Sequence, residues 1–296
     1  MIPRHLRSAL FIVAGSVLAT GLFAQAPAPK PLEFPAASPA ASLKQRVGLS
    51  DIEVNYNRPS MKGRAIFGGL VPYGEVWRTG ANTATKITFS TDVKLNGAAV
   101  PAGTYELFTI PGQAEWTVII HKNMSQWGSY SYDPKNDVAR VTAKPLALPL
   151  PVETFMITFN HVAEGSALLE LAWDKTLLPV KVEVDVVSQL VPQIEAVMAS
   201  DAAKKPYFPA AMFYYENNLD LKKAAAWMDA AVAASPSPQM WMIYRQGLIR
   251  AKLGDKAGAL AAAQRSLDLV KSDAKSPASL KEEYTRLNNA LIASLK

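Results

Sequence analysis

The sequence predicts two successive folds, an all-β antiparallel sandwich followed by an all-α helical repeat. Up to about residue 188, apolar side chains alternate in short runs, as they do in half-buried strands. Beyond that point they recur at spacings of three and four residues, as they do in helices. The helical region also contains a turn pattern that repeats after 35 residues. A chain of 296 residues is long enough for two domains of ordinary size.

The first 26 residues have the pattern of a signal peptide. Arg4 and Arg7 precede an apolar run over residues 10–23, and Ala24-Gln25-Ala26 is the small-x-small pattern that signal peptidases accept. An uncleaved membrane anchor is the alternative, but a span needs roughly 20 apolar residues and this run is shorter. We therefore predict cleavage near Ala26 and a periplasmic or secreted mature protein without stable membrane insertion.

A linker follows at residues 27–41, which are rich in proline and alanine. Proline lacks an amide donor, and the segment has no apolar periodicity, so an extended spacer is expected. The chain has no cysteine, which excludes disulfides, a thiolate metal site and the lipid-bearing cysteine of a lipoprotein. The mature protein is therefore expected to be soluble.

The predicted β-sandwich domain spans residues 42–188. Asn96-Gly97 suits a hairpin turn, and Pro111-Gly112 closes a second hairpin. The clearest strand is Val180–Val186, which alternates valines with charged residues, so that one face is buried and the other is wet. The other predicted strands are Ile52–Tyr56, Thr85–Ser90, Val93–Leu95, Thr104–Ile110, Trp116–His121, Val138–Thr142, Val152–Asn160 and Ala167–Trp173.

The predicted helical domain spans residues 189–296. Two turns, Asn218-Leu219-Asp220 and Leu253-Gly254-Asp255, are each followed by an alanine-rich helix, and Ser279–Leu295 forms a final helix. The spacing resembles the tetratricopeptide repeat, with Met212 as a departure where the second unit has the small Gly247. The resemblance implies a groove that binds a protein or peptide partner. The residues that carry it are Tyr215, Asp220, Ala224, Ala231, Pro236, Gly247, Gly254, Asp255 and Ala259.

Charge and motif content exclude several functional classes. The formal charge of +6 falls to +4 once the leader with Arg4 and Arg7 is removed, and basic residues alternate with acidic ones, so no nucleic-acid partner is expected. His121 and His161 lack the short spacing of a zinc site, so no metal is expected. A glycine loop for phosphate and a Gly-x-Ser-x-Gly elbow are also missing, and no cofactor is expected.

The most distinctive segment is residues 71–82, in which an aromatic, a cation, a hydroxyl and an amide lie between glycines. Trp77, Arg78, Thr79 and Asn82 are therefore candidate ligand-binding residues, since glycines let a ligand approach the backbone. A structural role is the alternative. In that case Trp77 fills the core, and Arg78 and Asn82 bond to loop carbonyls.

A second cluster of candidate ligand-binding residues follows Trp116, which we assign to the core. Exposed aromatic rings beside polar groups suit sugar rings or peptide side chains, because a flat face stacks while hydrogen bonds fix the orientation. The alternative is again packing inside the sandwich. The candidates in this cluster are His121, Lys122, Trp127, Tyr130 and Tyr132.

Several motifs of the β region together resemble the bacterial domain of unknown function 2911 over about residues 42–187. The resemblance implies an exported β-rich domain, often followed by a helical tail, and it implies no activity. The motifs are Asn57-Arg58-Pro59-Ser60, Lys62-Gly63-Arg64, Trp77-Arg78-Thr79-Gly80-Ala81-Asn82, Ala102-Gly103-Thr104-Tyr105, Phe108-Thr109-Ile110-Pro111 and the segment from 123 to 132 with Trp127-Gly128.

Three functional hypotheses follow. The preferred one is a binding or scaffold protein of the cell envelope that recognises a glycan or a peptide. The second is a hydrolase whose site lies near Arg78, Asn82 and His121, which requires these side chains to converge in a concave site. In the third, the sandwich is passive and only the helical repeat binds a partner.

Overall fold

The computed structural model describes residue 32 and residues 34–122 and 125–296, so the predicted signal peptide and most of the predicted linker lie outside the described residues. Residues 38–296 form one compact unit. Within it, all strands lie between residues 40 and 183 and all α-helices between 186 and 294, which confirms the predicted segregation of the two classes. A search of the described helices finds none with the length and apolar character needed to cross a membrane.

The strands form two antiparallel sheets that pack as a sandwich. The six-stranded sheet has the order β1-β2-β3-β6-β7-β8, and the four-stranded sheet has the order β5-β4-β10-β9. The strands are β1 (Ala40–Val47), β2 (Ser50–Asn57), β3 (Thr85–Phe89), β4 (Val93–Leu95), β5 (Ala98–Val100), β6 (Gly103–Ile110), β7 (Trp116–Lys122), β8 (Asp137–Ala143), β9 (Leu146–Asn160) and β10 (Ser166–Glu183).

Aromatic rings fill one region of the core between the sheets. Trp77 stacks on Trp173 with ring centroids 5.8 Å apart, and Phe155 meets both rings. Phe67 contacts the same two tryptophans and also Trp116. Trp116 is buried, as expected from the sequence. Such large apolar side chains contribute about 1.5–3 kcal/mol each when fully buried, so this cluster anchors the two sheets to each other.

The strands differ from the prediction at several points, including β5, which was not predicted, and β9, which begins six residues earlier than predicted. β1 begins at Ala40, within the predicted linker, because it pairs along its full length with β2. The two predicted runs Ala167–Trp173 and Val180–Val186 are parts of one strand, β10, in which irregular pairing around Asp174 accommodates the polar residues between them. Val186 begins a helix instead of ending a strand, since the Asp185 carboxylate caps that helix by accepting from the Ser188 amide.

β9 lies at the edge of the four-stranded sheet and carries two prolines. Pro149 and Pro151 stand in its first half, next to the exposed Leu150. In its second half, residues 59–61 run alongside the strand. The Met61 amide donates to the Glu153 carbonyl, and the Phe155 amide donates to the Pro59 carbonyl.

The helical part contains helical hairpins of the predicted kind. Asp220 and Asp255 cap the helices that follow the two repeated turns, and Gly254 adopts a φ of 88° at the second turn. Gly247 lies close to Leu291, so a larger side chain there would press against it. The helices are α1 (Val186–Ala199), α2 (Tyr207–Glu216), α3 (Leu221–Ala234), α4 (Met240–Leu253), α5 (Lys256–Ser272) and α6 (Ala278–Ser294).

Candidate functional site

The segment from Trp77 to Asn82 is fixed against the six-stranded sheet. Trp77 and Thr109 exchange two backbone hydrogen bonds of 2.7 and 2.9 Å, and the Thr79 and Thr109 hydroxyls lie 3.1 Å apart. The Thr85 hydroxyl donates to the Thr79 carbonyl at 2.6 Å. Thr79 and Asn82 have φ values of 53° and 59°, which cost energy unless the surroundings hold them. This loop is therefore rigid.

Neighbouring residues of this segment point in different directions. The indole of Trp77 is buried, and its Nε1 donates to the Gly80 carbonyl at 3.1 Å. Thr79 is fully buried, whereas Arg78 and Asn82 are half-buried. The structure therefore places Trp77 and Thr79 in the interior and leaves Arg78 and Asn82 partly accessible, and Asn82 Nδ2 donates to the Ser38 carbonyl at 3.5 Å.

The second cluster singled out from the sequence pairs with the first. The Ala84 amide donates to the Gln126 carbonyl at 3.0 Å, and the Gly128 amide donates to the Asn82 carbonyl at 3.0 Å. Thr83 and Trp127 form an isolated antiparallel bridge. Because these bonds join the two segments side by side, residues 78–84 and 126–132 form a single surface, which we call the loop surface. The candidates Trp77, His121 and Lys122 do not belong to it.

A charged pair lies buried beside the loop surface. The Glu106 carboxylate accepts from the Gln126 amide at 2.7 Å and from Gln126 Nε2 at 2.8 Å. His121 Nδ1 lies 3.5 Å from Glu106 Oε2 and 2.8 Å from the Lys122 carbonyl, and Nε2 lies 3.2 Å from the Asp133 carbonyl.

The partners of His121 hold its ring in place. Each ring nitrogen lies within hydrogen-bond distance of a backbone carbonyl, and Nδ1 also lies near the Glu106 carboxylate. His121 and Glu106 are both fully buried. The imidazole is therefore occupied with holding the loop in place and is closed off from solvent.

Tyr132 belongs to the same buried network. Its ring packs on Phe108 and His121, and its hydroxyl donates to Asp137 at 2.7 Å. Burial, followed by the hydrogen bond to Asp137, raises the pKa of Tyr132 to about 12. The tyrosine is therefore neutral at physiological pH and holds the end of the loop against β8.

Two aromatic side chains stand out from the loop surface. Trp127 is 65% exposed and Tyr130 is 83% exposed. Between them, Gly128 allows a close approach, because a Cβ at this position would lie 2.6 Å from the Tyr130 ring and 2.8 Å from Arg78 Nη1. The Arg78 guanidinium and the Tyr130 ring are thus neighbours over the same glycine. Lys122 is also exposed.

A small cavity of about 230 Å³ opens next to this surface. Arg78 and Arg64 both line it, and Trp77 and Trp173 contribute to its wall. His121 and Asn82 are not among the described residues that line it. The three residues of the hydrolase hypothesis thus do not share this cavity.

A larger groove of about 710 Å³ lies where the helical part meets the turn between β1 and β2. Leu190, Phe208 and Phe213 give it an apolar wall, and Glu216 and Arg245 supply charge. A search of the described residues for three or more neighbouring His, Asp or Glu side chains that could hold a metal ion finds no such group.

Sequence reasoning missed three residues that shape this region. Glu106 stands in an alternating strand, where a charged residue is expected to face solvent, and it lies buried under the loop instead. Arg64 was noted only as part of a family motif, because only the folded chain brings it to the cavity that Arg78 lines. Gly128 was also noted only as part of a motif, and in the structure it leaves room for the side chains of Tyr130 and Arg78. The sequence could have indicated only that Gly128 has a positive φ, which is 76° in the structure, because glycine adopts such angles readily.

Comparison with known proteins identifies the β part. A family model described as "Protein of unknown function (DUF2911)" matches residues 38–182, in agreement with the resemblance noted from the sequence. No curated protein and no solved structure matches this chain.

Proposed function

Because the β part of this chain belongs to the DUF2911 family, whose description assigns no activity, we propose a function from the chemistry of its own loops. The chain acts as an exported binding protein that recognises a glycan or a peptide of the cell envelope through the loop surface. The observation that carries the proposal is the convergence of two distant segments, which sets the exposed Tyr130 ring beside Arg78 and pairs the exposed Trp127 with Thr83.

The geometry of the loop surface supports binding. Binding sites combine flat apolar faces with a few polar groups that fix orientation, and they gain affinity when little has to be ordered on association. The backbone bonds between residues 82–84 and 126–128 supply that order in advance. Trp127 and Tyr130 offer ring faces to a sugar or a side chain, and Arg78 offers charged donors beside them.

The surroundings of His121 favour binding over the hydrolase hypothesis. A general base must present a free nitrogen to the substrate. In His121 both ring nitrogens face backbone carbonyls, and the side chain is fully buried. Arg78 and Asn82 can orient a ligand, but neither supplies a nucleophile or a base.

Export is part of the proposal and rests on the N-terminal pattern alone. If the chain is exported, the protein recovered from the periplasm or the medium begins at Pro27, after cleavage behind Ala26. N-terminal sequencing of the recovered protein tests this. A protein that retains Arg4 and Arg7 inside the cell would contradict it.

The binding function is tested with arrays of envelope glycans and peptides. We expect the chain to bind a member of one array and the double variant Trp127→Ala/Tyr130→Ala to lose at least about tenfold in affinity, since aromatic anchors dominate such contacts. Tyr207→Ala is the control, because Tyr207 is a half-buried aromatic residue of the helical part and lies outside the loop surface. Equal binding by both variants would remove the loop surface from the site. Partner binding by the helical part stays a separate prediction.

A further inference from the structure

The cavity next to the loop surface concentrates positive charge. Arg64 and Arg78 both line it, and among the described lining residues there is no aspartate or glutamate. Both side chains also lack an ion pair with any described carboxylate at 4.0 Å or less. Two guanidinium groups that share a wall repel each other unless an anion lies between them.

Arg78 carries a donor that the described residues do not satisfy. Its Nε is buried from solvent, and none of the described residues accepts a hydrogen bond from it. Buried donors are nearly always paired in folded proteins, and a charged donor left alone is especially costly. Arg78 thus carries a buried donor without a described partner, and its side chain also lines the cavity.

Arg64, the second arginine that lines the cavity, is positioned by the backbone. Its Nε donates to the Met61 carbonyl at 2.9 Å, and its Nη2 donates to the Ser60 carbonyl at 2.6 Å. These bonds hold the guanidinium without neutralising it, because carbonyls carry no net charge. Arg64 is exposed, so its guanidinium is accessible from solvent.

Arg78 connects the cavity with the aromatic side of the loop surface. Arg78 Nη1 and the Tyr130 ring approach the same point over Gly128, at 2.8 and 2.6 Å. Arg78 therefore lines the cavity and also approaches the exposed Tyr130 through its Nη1. The volume of about 230 Å³ is below the roughly 300–1,000 Å³ of pockets that enclose a drug-sized ligand, so it suits one small group of a larger ligand.

We propose that the cavity binds the carboxylate of an acidic sugar unit, while the rest of the glycan lies on Trp127 and Tyr130. This inference rests on the proposed function and names its ligand class. Guanidinium groups pair with carboxylates through parallel hydrogen bonds. Sugar rings, unlike most acidic peptides, also present a flat face that stacks on aromatic side chains. The adjacent ring and cation thus favour a uronic acid over an acidic peptide.

The test uses the purified chain and two probes that differ only in charge. The first probe is trigalacturonic acid, and the second is its methyl ester, which keeps the sugar rings and removes the negative charges. We expect isothermal titration to show binding of the acid and at least about tenfold weaker binding of the ester, because loss of a charged hydrogen-bonded pair costs at least that factor. A pentaglutamate peptide is the third probe.

Variants identify the site. We expect Arg78→Gln and Arg64→Gln each to weaken binding of the acid by at least about tenfold. Arg46→Gln is the matched control, because Arg46 is an exposed arginine of the same β part that pairs with Asp51 away from the cavity. Circular dichroism shows whether each variant is folded. If Arg78→Gln fails to fold, Arg64→Gln decides the result, since its side chain is exposed.

The outcomes separate this inference from the proposed function. Equal binding of acid and ester that depends on Trp127 and Tyr130 would overturn the carboxylate site and keep the glycan-binding function. Absence of binding of the acid, equal binding by the Arg64→Gln and Arg46→Gln variants, or binding of pentaglutamate in preference to the sugar would each overturn the inference. A peptide preference would leave the binding function in place with a peptide as its ligand.

Discussion

The β part contains two groups of ionisable side chains, and only one of them has its partners within the chain. Glu106 and His121 are fully buried, and each finds an opposite charge or hydrogen-bond partners inside the chain. Arg64 and Arg78 line one cavity together, and the described residues that surround it offer no carboxylate. The region of Glu106 and His121 is closed to solvent and holds the loop surface in place. The region of Arg64 and Arg78 leaves its positive charge available to an anionic ligand.

The difference shows how a buried polar group can be assigned a role. A charged pair that is satisfied within the chain contributes to the specificity of the fold, and breaking it exposes a costly defect. A cation without a partner lowers the free energy of unfolding, and binding of an anion to the folded protein raises it again. Stability measurements therefore test the assignment independently of any ligand, and the four predictions below run from the largest expected effect to the smallest.

The largest effect is expected for Glu106→Ala. This change removes the buried acceptor of the Gln126 backbone amide and side chain and the carboxylate beside His121, so the free energy of unfolding should fall by about 3–5 kcal/mol. Urea unfolding measures the loss. Glu106→Gln is the control, because it keeps the shape and one acceptor oxygen and should cost less. A loss under about 1 kcal/mol for Glu106→Ala would mean that the pair is not a structural anchor.

Gly128→Ala should have the next largest effect, a loss of about 1–3 kcal/mol. The new Cβ would combine a φ of 76° with contacts under 3 Å to Tyr130 and Arg78. Gly97→Ala is a matched control, since Gly97 has a φ of 88° and no described atom within 4 Å of a Cβ. The difference between the two variants isolates the cost of crowding on the loop surface. Equal losses would show that Tyr130 and Arg78 move aside freely.

Tyr132→Phe should cost about 1 kcal/mol at neutral pH, because it removes the hydrogen bond to Asp137. The pKa of Tyr132 is raised from 10.0 to about 12, which means that the folded state favours the neutral phenol. Its contribution is therefore complete below pH 10 and is lost as the pH rises toward 12.

Unfolding of wild type and Tyr132→Phe at a series of alkaline pH values measures this effect, and the gap between them should close. Tyr214 in the helical part has a similarly raised pKa of about 12, caused by burial and then by Glu195, so the variant retains some alkaline sensitivity. Tyr130→Phe, at an 83% exposed position, should show no effect. A gap that stays constant above pH 10 would contradict the assigned role of the hydroxyl.

The smallest effect, and the one with the opposite sign, is expected for Arg78→Met. Removing a cation that lacks a partner and faces Arg64 should leave the free energy of unfolding unchanged or raise it by up to about 1 kcal/mol. Thermal unfolding in the absence of added anions measures this. A loss above about 2 kcal/mol would place Arg78 with Glu106 among the structural charges and remove the contrast between the two regions.

The fold was predictable from the sequence because each part has its own apolar spacing. The alternation in β10 and the aspartates that cap α3 and α5 are local signals, and both appear in the structure. β1 was missed because its Ala40 and Ala41 continue the composition of the preceding linker, while its pairing with β2 depends on the folded hairpin.

The two loops of the site were predictable from the sequence, but their contact in space was not. Both loops that form the loop surface were identified as candidates, since their residue types are distinctive. Their contact depends on the sheet order that places β3, β6 and β7 side by side, and sequence spacing does not encode this order. The burial of Glu106 and the approach of Arg64 to Arg78 have the same origin, since each depends on contacts between distant segments.

The prolines of β9 bear on how the protein behaves at high concentration. An open sheet edge can recruit a strand from a second molecule and start a growing aggregate. At Pro149 and Pro151 such a strand would find no amide hydrogen, and beyond them the edge is already occupied by residues 59–61. The four-stranded sheet is thereby protected at this edge against intermolecular strand addition, even though Leu150 is left exposed there.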